Sequence, residues 1–234
     1  DEGFYAIFFP KKEFSGTKYN LVTTYEDGTT VTTADPYAFD SQISDFDSYL
    51  FAEGKHYEIY NKFGAHPMTI DGVKGTYFAV WAPDARRVSV VGDFNMWDGN
   101  LHPMQLRPNG GIYELFIPGV GDGAVYKYEM KLKGGAIQLK SDPYAACTEL
   151  PPASASVVKD LRNYAWDDAA WMDAREKYKD RHQPVSIYET SLTVWKNAQE
   201  LVDYVKELKY THVELHPVME YLDEEDIQAL KIDG

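Results

Sequence analysis

The fold is decided by a stretch near the middle of the chain, residues 76–97, which read TYFAVWAPDARRVSVVGDFNMW. Residues 76–81 and 87–92 are rich in β-branched and aromatic side chains, which favour strands. An Ala-Pro pair follows the first run, and proline cannot donate a hydrogen bond to a β-ladder. We therefore predict two strands, the second of which is followed by a turn that carries Trp97.

Composition and length exclude several classes of protein. The 234 residues suit one large domain or two to three small ones. The formal net charge of −14 argues against a nucleic-acid partner, which needs a basic surface. No stretch approaches about 18 apolar residues, so no membrane span is predicted. The single cysteine, Cys147, excludes a disulfide framework and favours a reducing, cytoplasmic location.

We expect no signal peptide at the start of this sequence. The chain starts with Asp1-Glu2-Gly3, without the basic and apolar regions of a signal peptide. It also starts without methionine, so we expect the sequence to begin inside a longer protein.

An internal repeat organises the first part of the chain. Residues 3–10 (GFYAIFFP) match residues 111–118 (GIYELFIP) at an offset of 108. Residues 34–38 (ADPYA) match residues 141–145 (SDPYA) at an offset of 107. In each copy we predict a strand, a glycine-containing hairpin turn, another strand and an Asp-Pro-Tyr corner. The aspartate of each corner is expected to bond its own backbone, as in a structural turn.

The pattern changes near residue 185. Residues 185–189 are expected to form a strand, and residues 198–208 carry apolar side chains at helical spacing. A second strand is predicted over residues 212–218. A strand, helix and strand in this order indicate a parallel pair joined by a right-handed crossover.

Several of these segments resemble one family. Residues 76–83, 88–97 and 124–129 (AVYKYE) resemble the glycan-binding module that precedes the catalytic barrel of glycogen branching enzymes. Residues 204–208 (YVKEL) and 211–220 (THVELHPVME) are similar to the start of that family's α-amylase-type barrel. The resemblance extends from residue 1 to about residue 221, and bacterial members also carry a duplicated sandwich at the front.

The resemblance implies a mainly β fold, with immunoglobulin-like β-sandwiches followed by an incomplete (β/α) barrel segment. The expected parts are the end of a first β-sandwich module (1–50), a linker (51–65), a complete glycan-binding-type sandwich (66–160), a helical linker (161–183), the first strand, helix and strand of a barrel (184–221) and an acidic tail (222–234).

The resemblance also implies a chemistry. Branching enzymes cleave an α-1,4-glucan and transfer the chain to a 6-hydroxyl, forming an α-1,6 branch. They use two carboxylic acids about 5 Å apart, which lie on later barrel strands. Neither an Asp-x-x-x-Asn-His nor a Gly-x-Arg-x-Asp motif occurs in this sequence. We therefore assign no catalytic residue and no cofactor, and we expect this chain alone to be inactive.

One stretch departs from the family pattern. Residues 188–195 read YETSLTVW, where the family has Tyr-Glu-x-His-x-Gly-Ser-Trp. The histidine and the Gly-Ser pair are replaced, and the loop before the following helix is short.

Two residues are expected to bind an α-glucan, such as glycogen or a maltooligosaccharide. The indole of Trp97 would stack on the apolar face of a glucose ring. Lys127 alternates with Tyr126 and Tyr128, so it faces away from both, and the matching lysine of related modules donates to glucose hydroxyls. The alternatives are a packed tryptophan and a solvated lysine. Related modules often place a second tryptophan near residues 135–137, where this chain has Gly-Ala-Ile, so a weak binder or a spacer is also possible.

Other residues receive structural interpretations. Trp81, at a strand end, is expected in the core, and Cys147 is expected to be at least half-buried. His212, Glu214 and His216 share one side of a strand, but the zinc-protease spacing belongs to a helix. We expect a buried, hydrogen-bonded strand there and no metal.

Two further functions stay open at this point. The chain could be a stand-alone α-glucan-binding protein, which the retained Gly-Asp-Phe-Asn-x-Trp block favours. It could also be an inactive relic fragment, which the missing barrel strands favour. The sequence leaves the oligomeric state undetermined.

Overall fold

The computed structural model describes residues 19–108, 110–175 and 183–216. The chain divides into two compact units, of which the first ends at Leu161 and the second begins at Arg162. The fold is mainly β, as predicted. The strand expected at residues 3–10 and the acidic tail lie outside the described residues.

The elements of the first unit are β1 (Asn20–Thr24), β2 (Thr30–Ala34), α1 (Asp45–Ala52), β3 (Gly64–Ile70), β4 (Val73–Trp81), β5 (Ala85–Gly92), β6 (Gln105–Leu106), β7 (Ile112–Pro118), β8 (Val125–Leu132), β9 (Ile137–Lys140), β10 (Cys147–Thr148) and β11 (Ser156–Val157).

Strands β3 to β11 form a sandwich of two antiparallel sheets. One sheet has the order β3-β4-β7-β6, and the other has the order β10-β11-β8-β5, with β9 also paired to β8. Alternate residues point between the sheets, as the period of a strand requires. The core contains Phe78, Val80, Val88, Val90, Leu115, Ile117, Tyr126 and Tyr128. The strands expected at residues 76–81 and 87–92 are confirmed as parts of β4 and β5.

The sheet that contains β4 and β7 is covered on its outer face as well. Side chains of the segment before β3, including Ile43 and Phe63, pack there against Tyr77 and Phe116. This segment contains α1. The covered face explains why β4 reads as a nearly continuous apolar run, since both of its faces are buried.

The prediction that Trp81 lies in the core is wrong. Trp81 alternates with Tyr77 and Ala79, so it points to the outer face at the end of β4, where the covering segment no longer encloses it. Its side chain is 51% exposed. Its ring meets Phe51 edge-on at 5.8 Å, and its Nε1 donates to the Gly110 carbonyl at 2.7 Å.

The repeated sequences form the same hairpin. In β1–β2, the Tyr25 N–H donates to the Thr29 carbonyl at 2.8 Å. In β8–β9, the Leu132 N–H donates to the Ala136 carbonyl at 2.8 Å, which is the same bond displaced by 107 residues. The strand pairing agrees too, because Thr24 faces Thr30 and Lys131 faces Ile137. The repeat is therefore a repeat of structure.

The Asp-Pro-Tyr corners also match, and they are structural turns as predicted. Asp35 accepts a hydrogen bond from the N–H of Tyr37 at 2.9 Å, and Asp142 accepts one from the N–H of Tyr144 at 2.8 Å. The hydroxyl of Tyr19 donates to Asp35. The residue 107 positions later, Tyr126, donates to Asp142 in the same way.

The second unit contains α2 (Ala169–Ala174), β12 (Ile187–Thr190), α3 (Ala198–Glu207) and β13 (His212–Leu215). Strands β12 and β13 pair in parallel, which confirms the predicted strand–helix–strand arrangement. Helix α3 buries Leu201 and Val205. The described residues contain no helix with the length and apolarity needed to cross a membrane.

Asp47 makes the polar contacts that fix the α1 segment, which covers the outer face of the sheet containing β4 and β7. The Ser44 hydroxyl accepts from the Asp47 N–H at 3.1 Å, and the Asp47 carboxylate accepts from the Ser44 N–H at 2.9 Å. His56 Nε2 lies 2.8 Å and Lys62 Nζ 3.5 Å from the same carboxylate. Burial alone would raise the pKa of Asp47, but hydrogen bonds from Ser44 and His56, together with the Lys62 charge, outweigh it and lower this pKa below its usual range.

We predict that Asp47→Asn lowers the free energy of unfolding by about 1 kcal/mol at pH 7, because it breaks the capping box of α1. The depressed folded-state pKa means that the ionised carboxylate stabilises the fold above the unfolded value of about 3.9. This contribution is lost as the pH falls through the folded-state value. Urea unfolding at pH 7 and pH 3 measures the difference, which should be smaller at pH 3.

Asp45→Asn is the matched control, because Asp45 lies in the same first turn and its side chain is exposed. We expect it to change stability by less than Asp47→Asn at pH 7. Equal losses in the two variants would contradict the role given to Asp47.

Candidate functional site

The loop after β5 arches over the outer face of its sheet. The loop leaves β5 at Gly92 and returns along the free edge of that strand, where the Met104 N–H donates to the Val88 carbonyl at 2.8 Å. Between these points it passes so close to β8 that a Cβ atom on Gly99 would lie 2.1 Å from Glu129 Oε1. A larger residue at this crossing would have to displace the Glu129 carboxylate. We call residues 93–101 the arch.

A single buried amide shapes the start of the arch. Asn95 Oδ1 accepts from the Gly92 N–H at 2.9 Å, and Asn95 Nδ2 donates to the Val90 carbonyl at 2.8 Å. The same Nδ2 lies 2.9 Å from His102 Nδ1. These bonds hold the next residue, Met96, and Trp97 at φ angles of 55° and 59°. Each costs about 1–2 kcal/mol in a residue with a Cβ atom, so the turn persists because its neighbours fix it.

Trp97 is held at two points of this turn. Its N–H donates to the Gly92 carbonyl at 2.9 Å, and its Nε1 donates to Asp93 Oδ1 at 2.8 Å. The side chain keeps 37% of its surface exposed, and its neighbour Met96 is 82% exposed. A ring that is fixed by hydrogen bonds and partly open to solvent is suited to stacking on an apolar ligand face.

Lys127 lies at the same end of the same sheet. Gly92, which anchors Trp97, pairs with Tyr126, and Val91 pairs with Lys127. Tyr126 lies in the core, so its neighbour Lys127 points to the outer face of the sheet. This is the face that the arch crosses. One of its three N–H groups donates to the Ser154 hydroxyl at 2.9 Å. The register thus brings the two residues singled out from the sequence to one end of one face.

Sequence reasoning missed the residues that brace the arch. Arg87 Nη2 lies 2.5 Å from Glu129 Oε1, and Arg87 Nη1 donates to Asn100 Oδ1 at 3.1 Å. The ion pair joins β5 to β8, and Asn100 joins it to the arch. The signal available was a pair of opposite charges on the polar faces of two predicted strands, which indicates a cross-strand contact only when their register is known.

An apolar strip borders this face. Leu139 pairs with Glu129 and therefore shares its side of the sheet, and Ile137 pairs with Lys131. Their side chains are exposed. The hairpin that lacks the second tryptophan thus presents two aliphatic side chains in its place.

The histidines of the second unit lie elsewhere. His212 and Glu214 of β13 and the following residue, His216, are exposed, so the expectation of a buried strand is wrong. His216 Nε2 lies 3.0 Å from Glu214 Oε1 and 3.8 Å from Glu189 Oε1. Both carboxylates are more than half exposed, whereas a sugar-cleaving pair needs an acid whose environment raises its pKa. We therefore assign this cluster no catalytic role.

Cys147 corrects a second expectation about burial. It lies on the short strand β10 and is exposed, although the sequence suggested a residue at least half-buried.

The hydrogen bonds of Asn95 define the protonation of His102. The backbone N–H of Gly92 can only donate, so the Asn95 oxygen must face it and the Asn95 amino group must face His102. His102 Nδ1 is then an acceptor, and the proton of the neutral ring lies on Nε2. Burial lowers the pKa of His102, which favours the same neutral form.

A comparison with known families indicates the class of protein to which the sandwich is similar, a carbohydrate-binding module. Residues 62–145 match the family model described as carbohydrate-binding module 48, the isoamylase N-terminal domain. This range contains the arch, Trp97 and Lys127.

Comparison with curated proteins indicates a more specific family than the module alone. The chain is 48% identical over 230 residues to the 1,4-alpha-glucan branching enzyme GlgB of Rubrobacter xylanophilus, covering 91% of this chain and 32% of that protein. It is 43% identical over 254 aligned residues to GlgB of Thermosynechococcus vestitus, covering 93% and 33%. The chain thus spans about a third of the length of these curated relatives. The chain is thus similar, over most of its own length, to a part of the 1,4-alpha-glucan branching enzymes.

A solved structure shares the fold. Ligand-free pullulanase from Klebsiella pneumoniae aligns with a TM-score of 0.50 and 21% sequence identity, covering 85% of this chain and 21% of that one. This likeness concerns the fold alone.

We predict that Asn95→Asp raises the pKa of His102, because a carboxylate beside Nδ1 stabilises the charged imidazolium. In the unchanged protein the ring should titrate below the ordinary value of about 6.5. NMR of the His102 ring protons across pH 4–8 measures both. Asn100→Asp is the control, because Asn100 lies on the same arch but is bonded to Arg87. This variant should leave the pKa of His102 unchanged. An equal rise in both variants would show a general charge effect instead.

Proposed function

We propose that the sandwich binds an α-glucan chain at the face formed by Trp97 and Lys127. The observation that carries this proposal is the fixed indole of Trp97 at the end of the sheet where Lys127 also lies. Glucose rings have apolar C–H faces that stack on an indole, and their hydroxyls accept hydrogen bonds from an ammonium group. The matching family model supports the same ligand.

We propose further that this binding serves the reaction for which the relatives are named. Branching requires a glucan chain to be cleaved and its end transferred, and this chemistry needs a nucleophilic carboxylate and a general acid. The described residues hold no buried acid pair of that kind. The contribution of these residues is therefore to hold the polymer, and the chemistry belongs to the later barrel strands of the family.

The net charge of the chain is compatible with this ligand. An α-glucan is neutral, so a formal charge of −14 neither attracts nor repels it. Affinity must come from stacking and hydrogen bonds at the face itself, and the stacking of a ring on an aromatic side chain is worth about 1–3 kcal/mol in the analogous case of nucleic-acid bases.

Trp97→Ala should weaken glycogen binding by about tenfold, because it removes the stacking surface, and about 1.4 kcal/mol corresponds to a factor of ten. Retardation in native gels that contain increasing glycogen measures the dissociation constant. The matched control is Trp81→Ala, which removes another exposed indole from the opposite sheet. Equal retardation of the Trp97 variant and the unchanged protein would contradict the proposed stacking.

Lys127→Met should weaken binding by about fivefold, since it removes a charged donor worth roughly 1 kcal/mol at a partly exposed position. Methionine keeps the aliphatic stem. Lys131→Met is the control, because Lys131 lies on the same strand and the same face at its other end. If both variants lose affinity equally, the effect comes from overall charge and Lys127 is a solvated lysine.

A further inference from the structure

A groove lies between the β1–β2 hairpin and the sandwich, beside the start of the arch. It has a volume of about 530 Å³ and runs between the β1–β2 hairpin, the loop after β5 and the end of β7. The walls include Thr32 of the hairpin, Phe94 and His102 of the loop, and Ile117 and Val120. The volume falls within the range of about 300–1,000 Å³ that small-molecule sites occupy.

The chemistry of the walls restricts the ligand. None of the described residues that line the groove carries a formal charge, although charged residues make up 26% of the chain. The lining combines aliphatic and aromatic surface with a threonine hydroxyl and the His102 ring. A charged ligand would lose its hydration there without gaining a partner, so the groove excludes it.

His102 supplies a directional donor at this groove. Its Nδ1 accepts from Asn95, so its Nε2 carries the proton. The ring packs beside Phe94, with ring centroids 5.9 Å apart. An N–H donor, an aromatic ring and threonine residues in one uncharged groove match a molecule that alternates hydroxyls with apolar C–H faces.

We propose that this groove is a second binding subsite, which takes a short neutral oligosaccharide. The ligand class of this subsite rests on the proposed function, because an α-glucan bound at the Trp97 face is the sugar that the groove would meet. The subsite joins the two copies of the repeat, because Thr32 belongs to the first copy and Ile117 and Val120 belong to the second. The hydroxyl of Tyr37 fastens these copies beside the groove by donating to the Pro103 carbonyl at 2.8 Å.

Maltotriose titrations followed by NMR test the subsite in the full chain. The indole N–H signal of Trp97 reports the first site, and the ring signals of His102 report the groove. We expect both to move, each with its own dissociation constant. In Trp97→Ala the His102 signals should still move, with a dissociation constant within twofold of the original.

A groove-filling variant provides the second arm. Thr32 shares its strand face with Ala34, which also lines the groove, so Thr32→Trp places an indole in the groove. This variant should abolish the His102 response and keep the Trp97 response. Thr30→Trp is the matched control, because Thr30 lies on the same face of β2 outside the groove lining, and both responses should remain.

The outcomes separate the two proposals. A His102 signal that stays still with maltotriose, that stops moving in Trp97→Ala, or that still moves in Thr32→Trp would overturn the subsite. A Trp97 signal that stays still would overturn the proposed function, whatever His102 does.

Discussion

The site depends on one buried amide. Asn95 joins the end of β5, the start of the arch and His102 through three hydrogen bonds. These bonds hold Met96 and Trp97 in the left-handed backbone conformation, and they also fix which nitrogen of His102 is protonated. An apolar residue at this position would leave the Gly92 N–H and the Val90 carbonyl buried without partners, which costs about 1–3 kcal/mol for each group. The stacking surface and the groove therefore share one structural origin.

A second constraint explains why the repeat keeps its fold and changes its surface. The hairpin and the corner of each copy are built from backbone bonds and one aspartate, so they tolerate substitution on the outer face. At the offset of 107 residues, Tyr19 matches Tyr126 and is retained, whereas Asn20 matches Lys127 and is not. The first copy thus preserves the tyrosine–aspartate bond that shapes the corner, and it lacks the lysine that faces the arch in the second.

The sequence predicted those features that follow from local pattern. Alternation placed Tyr126 inward and Lys127 outward, and helical spacing located α3. It failed where a distant segment decides burial. Trp81 was expected inside because large aromatics usually are, but Phe51 of α1 covers only one side of its ring and half of the side chain stays exposed. The ion pair between Arg87 and Glu129 could not be predicted either. It depends on the register of β5 against β8, which the sequence of neither strand determines alone.

Weak individual contacts suit a polymeric ligand. Under the proposed branching function, a glucan chain has to be released after each transfer, so a single very tight site would oppose turnover. Two modest sites on one module increase the effective concentration of the chain at each site once the other is occupied, provided that the chain can reach both. Occupying both proposed sites at once requires a chain long enough to reach from Trp97 to the groove. The pair of sites would therefore select for long or folded-back chains over short ones, a preference that neither site could produce by itself.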